Sequence, residues 1–234
     1  MLYYDDQKVI DFCKEANRAG LQIELHAIGD KAFDQACRAI KAALDDYPRE
    51  DHRHGIIHDC LPTPEGIEVC RDYHIQMPMQ SAFIGWKQEP DDYLEHILGH
   101  DRLEKLNPIR TFRDNNIVVS FGSDAPCTTP DPIAWMDRAV NNDNAGQAVS
   151  VQDALRMCTY NGAWAAFDEQ ARGSLEAGKI ADMAVLTENP YTVPKDKLSG
   201  IRVERLYLGG KPYESCRESI LPMMLRGLTS RNKA

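Results

Sequence analysis

The stretch "VVSFGSDAP", residues 118–126, decides the fold. Its apolar run ends abruptly in Gly-Ser-Asp, and a proline follows two residues later. This reads as a buried strand that delivers a carboxylate, Asp124, at its carboxyl end, with Gly122 letting the backbone bend toward a site. Working outward, other strands end in a similar way. In "LQIELHAIGD" (21–30), Leu21, Ile23, Leu25 and Ala27 fall on one face, and Gln22, Glu24 and His26 on the other. "HGIIHD" (54–59) is a short strand ending in His58 and Asp59, and "HIQMPMQ" (74–80) is a further strand.

Helical patterns separate these strands. Residues 5–19 carry a capping Asp5, an apolar stripe of Val9, Phe12, Cys13 and Ala16, and a terminating Gly20. Residues 31–47 form a second helix, stopped by Pro48. Further helices are expected at 64–72, 91–99, 108–115, 131–141 and 150–167, the last opened by Ser150 and Asp153 in the manner of a capping box. Strands alternating with helices over the first 165 or so residues predict an α/β fold with a parallel sheet. The remainder differs: "ADMAVL" (181–186) and "IRVERLYLGGKPY" (201–213) are strands, the second with a Gly-Gly turn. The expected division is an α/β part over 1–172, a small β appendage over 173–215 and a tail over 216–234.

Composition narrows the function. The chain has 234 residues and a net charge of −9. No Lys/Arg-rich run is present, which argues against a nucleic-acid partner. No apolar stretch approaches the ~18–20 residues of a membrane span, and no secretory signal is expected at the start. The seven cysteines are scattered and lack CxxC spacing, so they read as reduced, cytoplasmic thiols that mostly fill the core.

His26, His58 and Asp124 each stand at the end of a strand. In parallel α/β folds, sites form at the carboxyl ends of strands. Two imidazoles and a carboxylate suit zinc or a similar divalent ion, and the carboxylate suits taking a proton from water. Other histidines read more simply. His96 and His100 read as surface residues near a helix end, His52 and His54 as parts of a solvated turn flanking Arg53, and His74 as an edge residue. Alone, a strand-terminal Asp is as readily a turn cap, and a lone His is more often structural.

Five segments in order, "ELHAIGDKAFDQA", "HRHGIIHDC", "VVSFGSDAPCTTPDPIAWMDRAV", "SVQDALRMCTYNGAWAAF" and "RGSLEAGKIADMAVL", resemble the C-terminal part of the amidohydrolase superfamily. The nearest subgroup is amidohydrolase family 3, which includes N-substituted formamide deformylases. The resemblance implies the C-terminal part of a (β/α)8 metal-dependent hydrolase barrel, strands 5–8, with a β-sandwich segment. It implies metal-dependent hydrolysis of an amide or related C–N bond in a small molecule. His26 would be the metal-binding His of the fifth strand and His58 the sixth-strand His, a ligand or substrate contact. Asp124 would be the eighth-strand ligand and proton shuttle. Gly173, Gly178 and Asp182 look structural on the same grounds.

Departures from the family are as informative. No His-x-His strand followed by further barrel strands is present; His52-Arg53-His54 is out of place. Position 57 is Ile where many relatives have Glu. The expectation is therefore a fragment of a longer enzyme, holding a divalent metal such as zinc weakly or not at all by itself. It is also expected to form a homo-oligomer that covers open sheet edges. The alternatives are an amidohydrolase-derived binding or regulatory module without catalysis, an inert fragment, or a deaminase of the same superfamily.

Overall fold

The computed structural model describes residues 2–213; the expected tail (216–234), the last two residues of the expected β appendage (214–215) and Cys216 lie outside the described residues. The chain begins with helix α1 (Asp6–Arg18), strand β1 (Glu24–Ala27) and helix α2 (Asp30–Asp46). Strand β2 (Gly55–His58), helix α3 (Pro64–Asp72) and strand β3 (Met77–Met79) follow. Helices α4 (Asp91–Leu98), α5 (His100–Leu103) and α6 (Ile109–Asp114) then lead to strand β4 (Val119–Phe121) and helix α7 (Pro132–Val140). Helices α8 (Val151–Cys158) and α9 (Tyr160–Ala165) complete the helical part.

Caps fix the helix starts. The Asp5 carboxylate accepts from the Lys8 amide, Thr63 from Gly66 with Pro64 at the first helical position, and Asp131 from Ile133 and Ala134. Ser150 and Asp153 form a reciprocal capping box. The single helix expected over 150–167 breaks at Thr159, whose φ −127 and ψ −88 interrupt the turn. Phe12, counted in the apolar stripe of α1, stays 60% exposed; α1 buries Cys13, Ala16 and Asn17 instead.

The four strands are parallel. His26 aligns with Ile57 and Ala27 with His58 across β1 and β2, while Met77 aligns with Val119 across β3 and β4. A parallel bridge from Gly55 to Gln76 joins the two pairs into the order β1-β2-β3-β4. Helices cover one face of this array. Phe33, Ile40, Ile56, Met77, Ile109 and Phe112 are buried there in one apolar cluster. The other face is polar, carrying Gln22, Glu24, His26, Gln76 and Gln80. After α9 the chain forms an antiparallel sheet, β5 (Met183–Leu186), β6 (Val203–Leu208) and β7 (Lys211–Pro212), turning through Gly209 and Gly210, both with positive φ.

His52 and His54 are not a solvated turn: they are 3% and 0% exposed. His54 Nδ1 accepts the Ile23 amide at 3.1 Å, and its Nε2 lies 3.0 Å from Asn17 Oδ1. This ring ties α1, β1 and β2 together. Arg53 between them is also buried; it pairs with Glu169 at 2.8 Å and lies over the Trp164 and Phe167 rings.

Candidate functional site

The carboxyl ends of β1 and β2 bring two imidazoles together. His26 is exposed, His58 is buried, and their ring centroids are 4.4 Å apart, edge to face. The parallel register places them side by side. Burial holds the His58 imidazole below its ordinary pKa, and His26 beside it adds to this. The Asp124 carboxylate and Gln80 act in the opposite sense, so Asp124 lies within electrostatic reach of His58. His58 Nδ1 is buried without a hydrogen-bond partner among the described residues, an unmet demand that a native structure rarely leaves.

The strand ends are strained. His58 has φ +80, Asp59 φ +51 and Asp124 φ +52, all in the left-handed region that non-glycine residues seldom enter. The bend that aims Asp124 therefore lies at Asp124 itself. Gly122, which the sequence reading gave that task, has no positive φ, and a Cβ there would meet only Gln80 Nε2 at 4.0 Å. Asp124 is exposed, and the loop after it is closed by Thr128 Oγ1 donating to the Ser123 carbonyl.

Two carboxyl groups join the three expected residues. Glu24 lies two residues before His26, on the same side of β1. It accepts from Gln76 Nε2 at 3.1 Å and crosses onto β2 at Gly55, where a Cβ would meet Glu24 Oε2 at 2.5 Å. One side of Glu24 remains open to solvent, yet its surroundings enclose it enough that burial raises its carboxyl to about 7. Asp59 is fully buried, and neither oxygen has a partner among the described residues. Burial, reinforced by nearby Cys37 and Glu24, raises its carboxyl well above the usual range. The alternation in "QIELH" contains the signal for Glu24. Asp59 could be found only from its place directly after a strand-terminal His.

The donor set, two imidazoles and a carboxylate, is chemically suited to a divalent metal, and the unpartnered His58 Nδ1 is an available ligand atom. Among the described residues, no three His, Cys, Asp or Glu side chains are grouped so as to hold a metal ion. The imidazoles stand together; Asp124 approaches from β4 without joining them in such a group. His96 and His100 lie apart from this site on α4 and α5, and His100 lies 3.2 Å from Glu95, in agreement with a surface role. Among the described residues, no helix is long and apolar enough to cross a membrane.

Comparison with known proteins gives this geometry a context. The chain is 29% identical over 224 residues to the N-substituted formamide deformylase of Arthrobacter pascens, covering 89% of this chain and 39% of that protein. It is 29% identical over 216 residues to Protein LONG AFTER FAR-RED 3 of Arabidopsis thaliana, covering 88% of this chain and 36% of that protein. Among solved structures, an uncharacterized metal-dependent hydrolase from Pyrococcus furiosus superposes with a TM-score of 0.71 at 25% identity, covering 82% of this chain and 39% of that one. The chain thus spans about two fifths of the length of the curated relatives it matches. The fold is the mixed α/β fold of metal-dependent hydrolases. The sequence pattern of the amidohydrolase family runs from residue 2 to residue 213, and the chain belongs to that family.

Proposed function

We propose that this chain carries part of the reacting centre of a metal-dependent amidohydrolase that cleaves an amide or related C–N bond in a small molecule. In this reading β1–β4 correspond to strands 5–8 of a (β/α)8 barrel, and the sheet β5–β7 belongs to a β-sandwich segment. The observation that carries the reading is the contact of His26 with His58 at adjacent strand ends, with Asp124 in electrostatic reach. A divalent ion such as zinc would be held by His26 and His58 with Asp124 brought in from β4, and would supply Lewis acidity to a carbonyl and to water.

The residues divide the remaining work. The Asp124 carboxylate takes a proton from the attacking water and returns it to the leaving amine. His58, buried and kept neutral, holds its ring fixed to ligate through one nitrogen or to contact the carbonyl oxygen. His26 meets its edge and completes the imidazole pair. The β1 and β4 strands each pair on one side only among the described residues. Open strand edges favour association with another chain, so a homo-oligomer belongs to the same proposal.

The test is hydrolysis of a panel of N-formyl amides, acyl amides and amino-heterocycles, with and without added zinc. It is run on the chain and on a longer polypeptide containing it. Zinc-dependent release of formate or carboxylate is expected. Deamination of the heterocycles alone, or no turnover of any member by the longer polypeptide, would overturn the reading.

A further inference from the structure

We propose that the cavity between the Asp124 loop and the Phe83–Trp86 turn receives the side group of the substrate, and that Arg138 makes it selective for an amide bearing a planar ring and a carboxylate. The inference rests on the reading above, in which His26, His58 and Asp124 form the reacting centre.

The cavity holds about 600 Å³, within the range of small-molecule sites and ample for a single-ring substituent. Two of its borders run back to the centre. One wall is Ala125, Pro126 and Cys127, the residues that directly follow Asp124. Toward another wall, rings lead outward from the centre: His58 to Phe83 at 6.2 Å, then Phe83 to Trp86 at 5.0 Å. Trp86 lines the cavity and is half-buried, so it offers an apolar surface on which a planar group can stack.

Arg138, from α7, is the cation of the lining. It is half-buried and makes no ion pair among the described residues. Asp143 lies nearby, across Gly85. A Cβ on Gly85 would meet Arg138 Nη1 at 2.8 Å and Asp143 Oδ2 at 2.7 Å, and Gly85 has φ +61. A side chain there would therefore displace the guanidinium, and glycine leaves it in place. A half-buried guanidinium whose fork makes no ion pair among the described residues, with Asp143 beside it but outside ion-pair distance, can receive an anion, and the fork matches a carboxylate in bidentate fashion. A single guanidinium in a chain of net charge −9 fits one carboxylate better than a doubly charged phosphate.

The test uses two probes, N-formyl-phenylalanine and its neutral C-terminal amide. Cys127 is an exposed free thiol in the cavity wall, so the readout is its alkylation by iodoacetamide, followed by peptide mass spectrometry. The carboxylate probe is expected to protect Cys127 at about tenfold lower concentration than the amide, as loss of a charge-assisted contact predicts. Arg138→Gln should abolish that difference, and Trp86→Leu should weaken both probes. Equal protection by the two probes, no protection at millimolar concentration, or a preference that survives Arg138→Gln would overturn the proposal. If Arg138→Gln does not fold, the comparison of probes on the unaltered chain still decides. The readout does not need turnover. Selective protection in a polypeptide that hydrolyses no amide would keep the pocket and sink the reaction. Hydrolysis of both probes with equal efficiency would do the reverse.

Discussion

The buried ring of His54 makes acid sensitivity a quantitative expectation. Its Nδ1 accepts the Ile23 amide, so Nε2 must carry the proton and donate to Asn17 Oδ1. A second proton would set an N–H against an N–H inside the protein. Burial, with His52 and Arg49 adding repulsion, lowers the His54 pKa from 6.5 to about 3. The unfolded chain therefore binds the extra proton between these values. His54's contribution to stability is complete above pH 6.5 and falls as the pH drops toward 3. At pH 5 the linkage term is about RT ln(1 + 10^1.5), or ~2 kcal/mol lost relative to pH 8. Glu24, raised to about 7, acts in the opposite sense over part of this range, so the bare pH profile is a mixture. The comparison with His54→Gln isolates the ring, because Gln offers a donor and an acceptor and does not titrate. Urea unfolding of both proteins at pH 8, 7, 6 and 5 is the assay. The stability advantage of the wild type over His54→Gln should shrink by ~2 kcal/mol between pH 8 and pH 5. A difference that stays constant within ~0.5 kcal/mol would refute the buried neutral ring.

Three further outcomes are expected. Asp124→Asn should leave the thermal midpoint nearly unchanged, because the side chain is exposed, while lowering kcat by about a hundredfold in the active polypeptide; retention of a third of wild-type kcat would count against the proton-transfer role. Gly66→Ala should destabilise by about 1–3 kcal/mol, since its Cβ would meet the fully buried Phe33 ring at Cδ1, 2.8 Å away, and an unchanged urea midpoint would contradict that packing. Light scattering at tens of micromolar should give a mass above one chain, and a well-folded monomer would argue against pairing of the open strand edges.

Local chemistry made much of the fold readable. Asp5, Thr63-Pro64, Asp131-Pro132 and Ser150 mark helix starts because a cap acts within three residues. The two-residue period of β1 is enough to put Glu24 and His26 on one face. Long-range chemistry was not readable. His54 looked like a turn residue because its partner Asn17 is 37 residues away. Arg53 finds Glu169 only across 116 residues. The bend at Asp124 was assigned to the neighbouring glycine because propensity favours glycine there, whereas the fold imposes positive φ on the aspartate. The burial of the Asp59 carboxyl without a hydrogen-bond partner among the described residues, like the cavity beside Arg138, depends on how separate elements meet, and no local pattern encodes it.

Arg53 also determines how the chain comes apart. Its guanidinium lies between Asp51 and Glu169, donates to the Trp164 carbonyl and covers two aromatic rings. It thereby fastens the amino end of β2 to the segment that leaves α9 for the antiparallel sheet. That segment cannot peel away without breaking the Glu169 ion pair, the hydrogen bond to the Trp164 carbonyl and both cation–ring contacts together, which disfavours partial opening. Protection against amide exchange should therefore extend from the parallel strands across residues 164–169. A protease would find this junction closed until the parallel array itself gives way.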